Sequence, residues 1–178
     1  YVGVYRIDEK NRRIVVREGN KLVMTRTDGP RTEMQAYSQN GFFKDQNSLL
    51  RVEFNRNAKG EVSDVVVHQN GNAVVHPKLN EALPEAPKAF AMSVEQFAEF
   101  AGDYQIQPNF VLNVRREGNR YVTQATGQGP VDIMPISADT FNAPDVGGQL
   151  KFEKDADGKV TQLILTQGGR NTPAKKIK

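Results

Sequence analysis

The sequence repeats itself, and this repeat constrains the fold more than any other feature. "AKGEVSDVVVHQNG" at residues 58–71 returns as "ADGKVTQLILTQGG" at residues 156–169. When Tyr1 is set against Phe100, the opening stretches "YVGVYRI" and "FAGDYQI" match, as do "VREGNKLV" and "RREGNRYV" further along. The Gly-Pro pairs and the segments before the quoted strands also align, with small shifts in spacing. Four matches in the same order indicate a duplicated unit.

Each half predicts eight short β-strands and almost no helix. Val65 and Val67 share one strand face, as Leu163 and Leu165 do in the second copy, and this alternation is typical of half-buried strands. Gly- and Asn-rich turns separate the strands. The predicted strands are 2–7, 12–18, 21–27, 32–38, 41–45, 49–56, 62–69 and 72–79 in the first half, and 102–106, 110–117, 120–126, 131–137, 140–143, 148–155, 160–167 and 171–177 in the second.

Short strands joined by tight sequential turns favour a meander, and a meander closes most simply into a barrel, which leaves no free edge. We therefore predict an all-β chain of two tandem eight-stranded antiparallel up-and-down barrels. The alternatives are a sandwich in each half, or one larger barrel or sandwich built from both halves. The halves should superpose with Tyr5 on Tyr104 and Gly19 on Gly118.

The predicted organisation is a first barrel at 1–79, a linker and helix start at 80–96, and a second barrel at 97–178. The linker is rich in Pro, Ala and Glu, as semi-rigid linkers are. Ser93 and Gln96 have the spacing of a capping box, which predicts a short helix. Phe97 and Phe100 should pack that helix against the second barrel.

The composition excludes several classes of function. The chain of 178 residues has no cysteine, which excludes disulfides and thiolate metal sites. Its net charge is +3, but both halves mix the two signs, as an ordinary solvated surface does. The basic cluster Lys175, Lys176 and Lys178 lies at the very end, where a frayed tail is expected. We therefore expect no nucleic-acid partner and no cofactor.

The chain also lacks an apolar run near the roughly 18 residues that span a bilayer, so no membrane span is expected. It opens on Tyr1 without a starting Met or a signal peptide. We expect a piece of a longer protein, or a mature form from which a targeting segment was removed.

The second half resembles a known family. Gly102, Tyr104, "REGNR" with "QATGQ", Phe141, Phe152, "DADGKV" and "QGGR" with "PAK" carry the resemblance to the small domain that follows the catalytic domain of many β-lactamase-like, penicillin-binding-protein-type serine hydrolases. The resemblance covers residues 97–178 well and residues 1–79 more loosely. It implies a lipocalin-like eight-stranded barrel beside the active site of a parent enzyme, and an accessory role in substrate access, domain packing or assembly.

The chemistry of that parent is missing from this chain, so no catalytic residue is predicted. No Ser is followed by Lys three residues later, and neither Lys-Thr-Gly nor Gly-x-Ser-x-Gly occurs. We expect a non-catalytic accessory or binding module of an exported bacterial protein, periplasmic or extracellular, with a linked or neighbouring hydrolase as partner. The alternative is the C-terminal regulatory region of an active serine hydrolase. A Ser-x-x-Lys motif encoded upstream of Tyr1 would favour this alternative.

Two features that could indicate a metal site have simpler explanations. His68 and His76 are the only histidines, and no ligand spacing surrounds them. Asp155, Asp157 and Gly158 resemble part of a calcium loop, but the rest of the ligand series is missing, so a hairpin turn is expected. No metal is predicted.

The candidate ligand-binding residues are one Arg and one Gln in each half. Arg17 follows Val15 on one strand face, and Gln69 follows Val67 on another; Arg116 and Gln167 are their counterparts. If these faces point inward, each pair should line a barrel mouth and suit a small apolar or peptide-like ligand with a carboxylate or amide group. The same side chains could instead satisfy turn carbonyls.

Overall fold

The structure is a computed structural model and describes residues 1–27 and 29–178. It confirms the predicted fold class: two closed eight-stranded antiparallel barrels follow one another along the chain. The first compact unit comprises Tyr1–Thr27 and Arg31–Glu85, and the second includes Ala86–Lys178. Every strand pairs within its own half, which excludes both the sandwich and the single larger barrel.

The first barrel is a meander in which each strand pairs with the next and the last pairs with the first. Its closure places Tyr5 of the first strand opposite Lys78 of the last. The strands are β1 (Gly3–Arg6), β2 (Arg12–Glu18), β3 (Lys21–Arg26), β4 (Thr32–Ala36), β5 (Gly41–Phe43), β6 (Arg51–Arg56), β7 (Val62–Gln69) and β8 (Asn72–Leu79).

The second barrel repeats this topology and closes in the same register, with Tyr104 opposite Lys176. Its strands are β9 (Gly102–Gln107), β10 (Phe110–Glu117), β11 (Arg120–Ala125), β12 (Val131–Pro135), β13 (Thr140–Ala143), β14 (Gly148–Lys154), β15 (Val160–Gln167) and β16 (Arg170–Lys176). A short 3₁₀ turn, Pro144–Val146, connects β13 to β14.

The strand bounds agree with the predicted ones to within one or two residues, because the turn signals are local. Gly19 and Gly118, which the repeat sets against each other, both lie in the left-handed region, with φ of 57° and 59°. Glycine adopts this conformation without the steric cost that other residues meet. At these two turns the repeat in the sequence is also a repeat of backbone conformation.

Inward-facing aromatic side chains fill one part of each barrel in the same way. Tyr5 packs edge-on against Phe54, and Tyr104 packs edge-on against Phe152, with ring centroids 5.8 and 5.4 Å apart. Both tyrosines are fully buried. Such edge-to-face contacts add to the free energy gained by removing the rings from water.

The linker and the helix that follows it belong to the second unit from Ala86 onward. Helix α1 (Val94–Ala98) begins at Ser93, whose hydroxyl accepts the Gln96 N–H while the Gln96 side chain accepts the Ser93 N–H. This confirms the predicted capping box. The ring of Phe97 stacks on Tyr121 with centroids 3.9 Å apart, so α1 packs over one end of the second barrel.

No helix in the described part of the chain has the length and apolar character needed to cross a membrane.

Candidate functional site

An up-and-down meander puts successive turns at alternate ends of its barrel. The turns β1–β2, β3–β4, β5–β6 and β7–β8 therefore share one end of the first barrel, and the turns β9–β10, β11–β12, β13–β14 and β15–β16 share the equivalent end of the second. We call these the cavity ends, because each contains a cavity, and the opposite ends the far ends. Helix α1 packs at the far end of the second barrel, through Tyr121 at the start of β11.

The cavity of the second barrel has a volume of about 100 Å³ and a mainly apolar lining. Its residues come from the β11–β12 and β13–β14 turns and from strands β10 to β15 near the cavity end: Phe110, Leu112, Thr123, Ala125, Gln128, Gly129, Val131, Ala143, Val146, Leu150, Leu165 and Gln167. No charged side chain of the described residues lines it. Such a lining suits a small neutral molecule better than a charged one.

One lining side chain has an unmet hydrogen-bonding capacity. Thr123 is only 6% exposed, and its Oγ1 atom has no hydrogen-bond partner among the described residues. Thr126, at the same end, differs: its Oγ1 accepts the Val111 N–H at 3.0 Å and donates to the Val111 carbonyl at 3.3 Å. Buried polar groups are nearly always hydrogen-bonded, so the Thr123 hydroxyl is an exception that calls for a partner.

Gln167 also lines this cavity. Its Nε2 donates to the Val146 carbonyl at 2.8 Å, across the cavity end from β15 to the 3₁₀ turn. The amide thus satisfies a loop carbonyl, while its Oε1 has no protein donor among the described residues. Gln167 is exposed, so this acceptor can be reached from solvent.

The cavity of the first barrel has a volume of about 350 Å³ and a cationic lining. Arg13 is 8% exposed and His76 is 4% exposed, and both line it. The Arg13 Nε donates to His76 Nδ1 at 3.3 Å, and its Nη1 lies 3.1 Å from the Met24 sulfur. The remaining lining residues are Ile7, Arg26, Val67, Gln69, Asn70, Asn72 and Val74.

Burial and neighbouring positive charges lower the pKa of both Arg13 and His76. Burial, and then the charge of Arg26, lower the pKa of the Arg13 guanidinium to about 10. Burial, and then the charges of Arg13 and Arg26, lower the pKa of His76 from 6.5. His76 is therefore held neutral beside two cations, with Nδ1 as the acceptor.

The strand registers show that the two cavities occupy equivalent positions. Arg13 lies opposite Arg26 where the second copy has Leu112 opposite Ala125. By the same correspondence Met24 replaces Thr123, and His76 replaces Ala174. One scaffold thus carries an apolar cavity in one copy and a cationic cavity in the other.

The structure separates the members of each predicted Arg–Gln pair. Strands β2 and β7 run in opposite directions in the meander, so Arg17 lies at the far end and Gln69 at the cavity end. Arg116 and Gln167 are separated in the same way. One ligand group therefore cannot meet both members of a pair; ligand contact by the individual residues stays a prediction.

The two arginines at the far ends bond to their own turns. The Arg17 Nε donates to the Gly19 carbonyl at 2.8 Å, and an Arg116 Nη2 N–H reaches the Asn119 side-chain oxygen at 3.4 Å. Both side chains are exposed. These contacts match the alternative interpretation, in which the arginines satisfy hairpin groups.

The sequence interpretation missed Arg13, His76 and Thr123. Arg13 alternates with Val15 along β2, and His76 alternates with Val74 along β8, so both patterns place a polar residue on the inward face. This alternation indicates that both residues face inward. It does not show that they meet, because contacts across the barrel depend on the register in which β1 pairs with β8.

The histidines and the aspartate-rich turn form no metal cluster within the described ranges 1–27 and 29–178. The Nε2 of His68 lies 3.8 Å from a Glu53 carboxylate oxygen. The Asp155 carboxylate accepts the N–H groups of Asp157 and Lys159 at 3.1 and 2.9 Å, as the side chain of a hairpin turn does.

The chain matches no family model. It is similar to a polyribonucleotide nucleotidyltransferase of Leifsonia xyli subsp. xyli (strain CTCB07), with 29% identity over 96 residues. The similar segment is 53% of this chain and only 12% of that protein. A match of this extent assigns neither a family nor an activity to the chain.

Proposed function

We propose that the chain is a non-catalytic binding module, and that its second barrel takes a small neutral molecule with an apolar body and one hydrogen-bonding group. The observation that carries this proposal is the buried, unpartnered hydroxyl of Thr123, a residue that lines an apolar cavity.

Leaving a hydroxyl buried without a partner costs about 1–3 kcal/mol. A ligand that brings a hydroxyl or carbonyl to Thr123 would recover that free energy, whereas a purely apolar ligand would not. Leu112, Val131, Leu150 and Leu165 supply the apolar contacts. The cavity therefore favours a ligand with a single polar group over an apolar ligand of the same shape.

The volume limits the ligand, or the part of it that enters, to a few heavy atoms. An engineered apolar cavity of about 150 Å³ holds benzene, and this cavity is somewhat smaller, at about 100 Å³. Its lining includes the exposed residues Gln167 and Gln128, so the cavity is partly open to solvent. The expected occupant is the end of a short chain, or a single ring that enters in part while the rest of it stays in the opening.

We further propose that the module accompanies a β-lactamase-like serine hydrolase of an exported bacterial protein. The support for this is the resemblance carried by Gly102, Tyr104 and the "REGNR" and "DADGKV" stretches. A barrel that holds a small molecule beside a catalytic domain would act on substrate access. An upstream reading frame that encodes Ser-x-x-Lys would support the association, and one that encodes an unrelated domain would refute it.

The binding proposal is tested with phenol and toluene, which have nearly the same shape and differ in one hydroxyl. Each is titrated into the full chain while amide chemical shifts are followed by NMR. We expect shifts at Thr123, Ala125 and Leu165, and tighter binding of phenol by about tenfold, the value of one hydrogen bond.

The matched variants are Thr123→Val and Thr126→Val. Thr123→Val keeps the shape of the side chain and removes the hydroxyl, so phenol should lose its advantage over toluene. Thr126→Val removes a hydroxyl that is already bonded to Val111, so the preference should persist. Absence of shifts around the cavity with both probes would refute the proposal.

A further inference from the structure

We propose that the cavity of the first barrel binds a small carboxylate, with Arg13 as the group that holds its charge. This site is separate from the cavity of the second barrel and takes a different class of ligand. The proposal therefore does not rest on the function proposed above, and either can fail alone.

Arg13 is a buried cation without a counter-ion among the described residues. No carboxylate of the described residues lies within 4.0 Å of its guanidinium. Its protein contacts are the neutral His76 Nδ1 and the Met24 sulfur, which leave the Nη2 group without a protein acceptor. Buried charges are normally paired, because an uncompensated charge in an apolar interior is strongly destabilising.

The surroundings of Arg13 add positive charge. Arg26 faces Arg13 across the β2–β3 pair and also lines the cavity, and no ion pair within the described part of the chain neutralises it. Hydrogen bonds from Asn11 and Lys10, and then the charge of Arg26, lower the pKa of Asp8, but Asp8 and Arg26 form no ion pair within 4.0 Å among the described residues. The Asp8 carboxylate is exposed and accepts the N–H groups of Lys10 and Asn11 in the β1–β2 turn.

The chemistry of a small carboxylate matches this cavity. A guanidinium presents parallel N–H donors that match the two oxygens of a carboxylate. Ile7, Val67 and Val74 provide an apolar wall beside this charge, and the volume of about 350 Å³ admits a small organic molecule. A carboxylate with a compact apolar body fits both features, whereas an inorganic anion would leave the apolar wall unused.

The comparison with the second copy supports this reading. There Leu112, Ala125 and Ala174 stand where the first copy has Arg13, Arg26 and His76. The scaffold folds with apolar residues at these positions, so the barrel itself does not require the cations. Binding of an anionic ligand explains why the first barrel has Arg13 and Arg26 at these positions, whereas folding does not.

The test uses benzoate and its neutral counterpart benzamide, titrated into the full chain at low chloride and followed by NMR. We expect benzoate to shift the amides of Arg13, Arg26 and His76, and benzamide to bind at least about tenfold more weakly. Equal binding of the two probes, or no shifts in the first barrel, would overturn the proposal. Inorganic phosphate is the third probe, and tighter binding of phosphate than of benzoate would overturn the carboxylate assignment.

The variants are Arg13→Leu, which copies the residue of the second barrel, and Arg17→Leu as the matched control. Arg17 lies on the same strand but at the far end, exposed and bonded to the Gly19 carbonyl. Arg13→Leu should weaken benzoate binding at least about tenfold, and Arg17→Leu should leave it within about twofold.

If Arg13→Leu does not fold, Arg26→Gln gives a second reading, because Arg26 is exposed at the end of β3. We expect Arg26→Gln to weaken benzoate binding about threefold, as the loss of a partly solvated charge does. The assignment to this cavity would be contradicted if Arg26→Gln left benzoate binding unchanged. It would also be contradicted if Arg17→Leu weakened benzoate binding as much as Arg26→Gln does.

Discussion

The hydroxyl of Tyr104 donates a hydrogen bond of 2.7 Å to the main-chain carbonyl of Phe100, four residues earlier. Tyr5 makes the same bond to the carbonyl of Tyr1, at 2.6 Å. In both barrels the bond ties the chain that enters the first strand to the aromatic core. Burial raises the pKa of both hydroxyls, so each keeps its proton and stays a donor.

We predict that Tyr104→Phe lowers the free energy of unfolding by about 1–3 kcal/mol, because the Phe100 carbonyl is left without this donor inside the core. Tyr5→Phe should cost less, since its bond is only partly buried. Urea denaturation of the two variants and the wild type measures the difference. A cost for Tyr5→Phe equal to or above that for Tyr104→Phe would contradict the prediction.

A second prediction concerns Gly102, where β9 begins. Its φ is 145°, and a Cβ atom there would lie 2.2 Å from the carbonyl oxygen of Lys178. We expect Gly102→Ala to lower the free energy of unfolding by about 2 kcal/mol or more, through strain and steric conflict.

The matched control for this substitution is Gly129→Ala. A Cβ atom at Gly129 meets nothing within 4 Å. Thermal unfolding should therefore show Gly129→Ala close to the wild type and Gly102→Ala well below it. Similar melting temperatures for the two variants would show that the backbone at Gly102 is free to relax.

A third prediction follows from the lowered pKa of His76. As the pH falls below about 6.5, the unfolded chain takes up a proton that the folded chain resists, so the free energy of unfolding should decrease. His76→Gln should remove this part of the pH dependence, whatever its effect on stability at pH 7.5. His68→Gln is the control and should keep it.

Denaturation curves of the three proteins between pH 7.5 and about 5 provide the measurement, and the readout is the slope against pH. The same slope in His76→Gln and in the wild type would mean that His76 is protonated as readily in the folded chain as in the unfolded one. In that case the histidine would not be the neutral acceptor of Arg13.

Much of this fold could be predicted because its signals are local. The turn glycines at 19 and 118 and the alternation of Val65 and Val67 are readable without knowledge of the rest of the chain. The Ser93–Gln96 capping box is equally local, and it is present in the structure.

The candidate sites could be predicted only in part, because they depend on contacts across the barrel. The position of Gln167 after Leu165 on one face of β15 predicts that it faces inward, and Gln167 does line the cavity. Its assumed partner Arg116 lies at the far end, which follows from counting strand reversals between β10 and β15. The meeting of Arg13 with His76 needed the closure of β1 on β8, which brings distant strands together.

The central claim is that the second barrel keeps the Thr123 hydroxyl buried and unpaired for a ligand, and the free energy of unfolding of Thr123→Val without ligand tests it most directly. If the hydroxyl has no partner, the substitution removes a buried polar group at no cost in shape, and stability should stay equal or rise by about 1 kcal/mol. Thr126→Val, which breaks the bonds to Val111, should lower stability by a similar amount. A loss of stability in Thr123→Val as large as that in Thr126→Val would contradict the claim, since it would show that the protein itself already satisfies the hydroxyl.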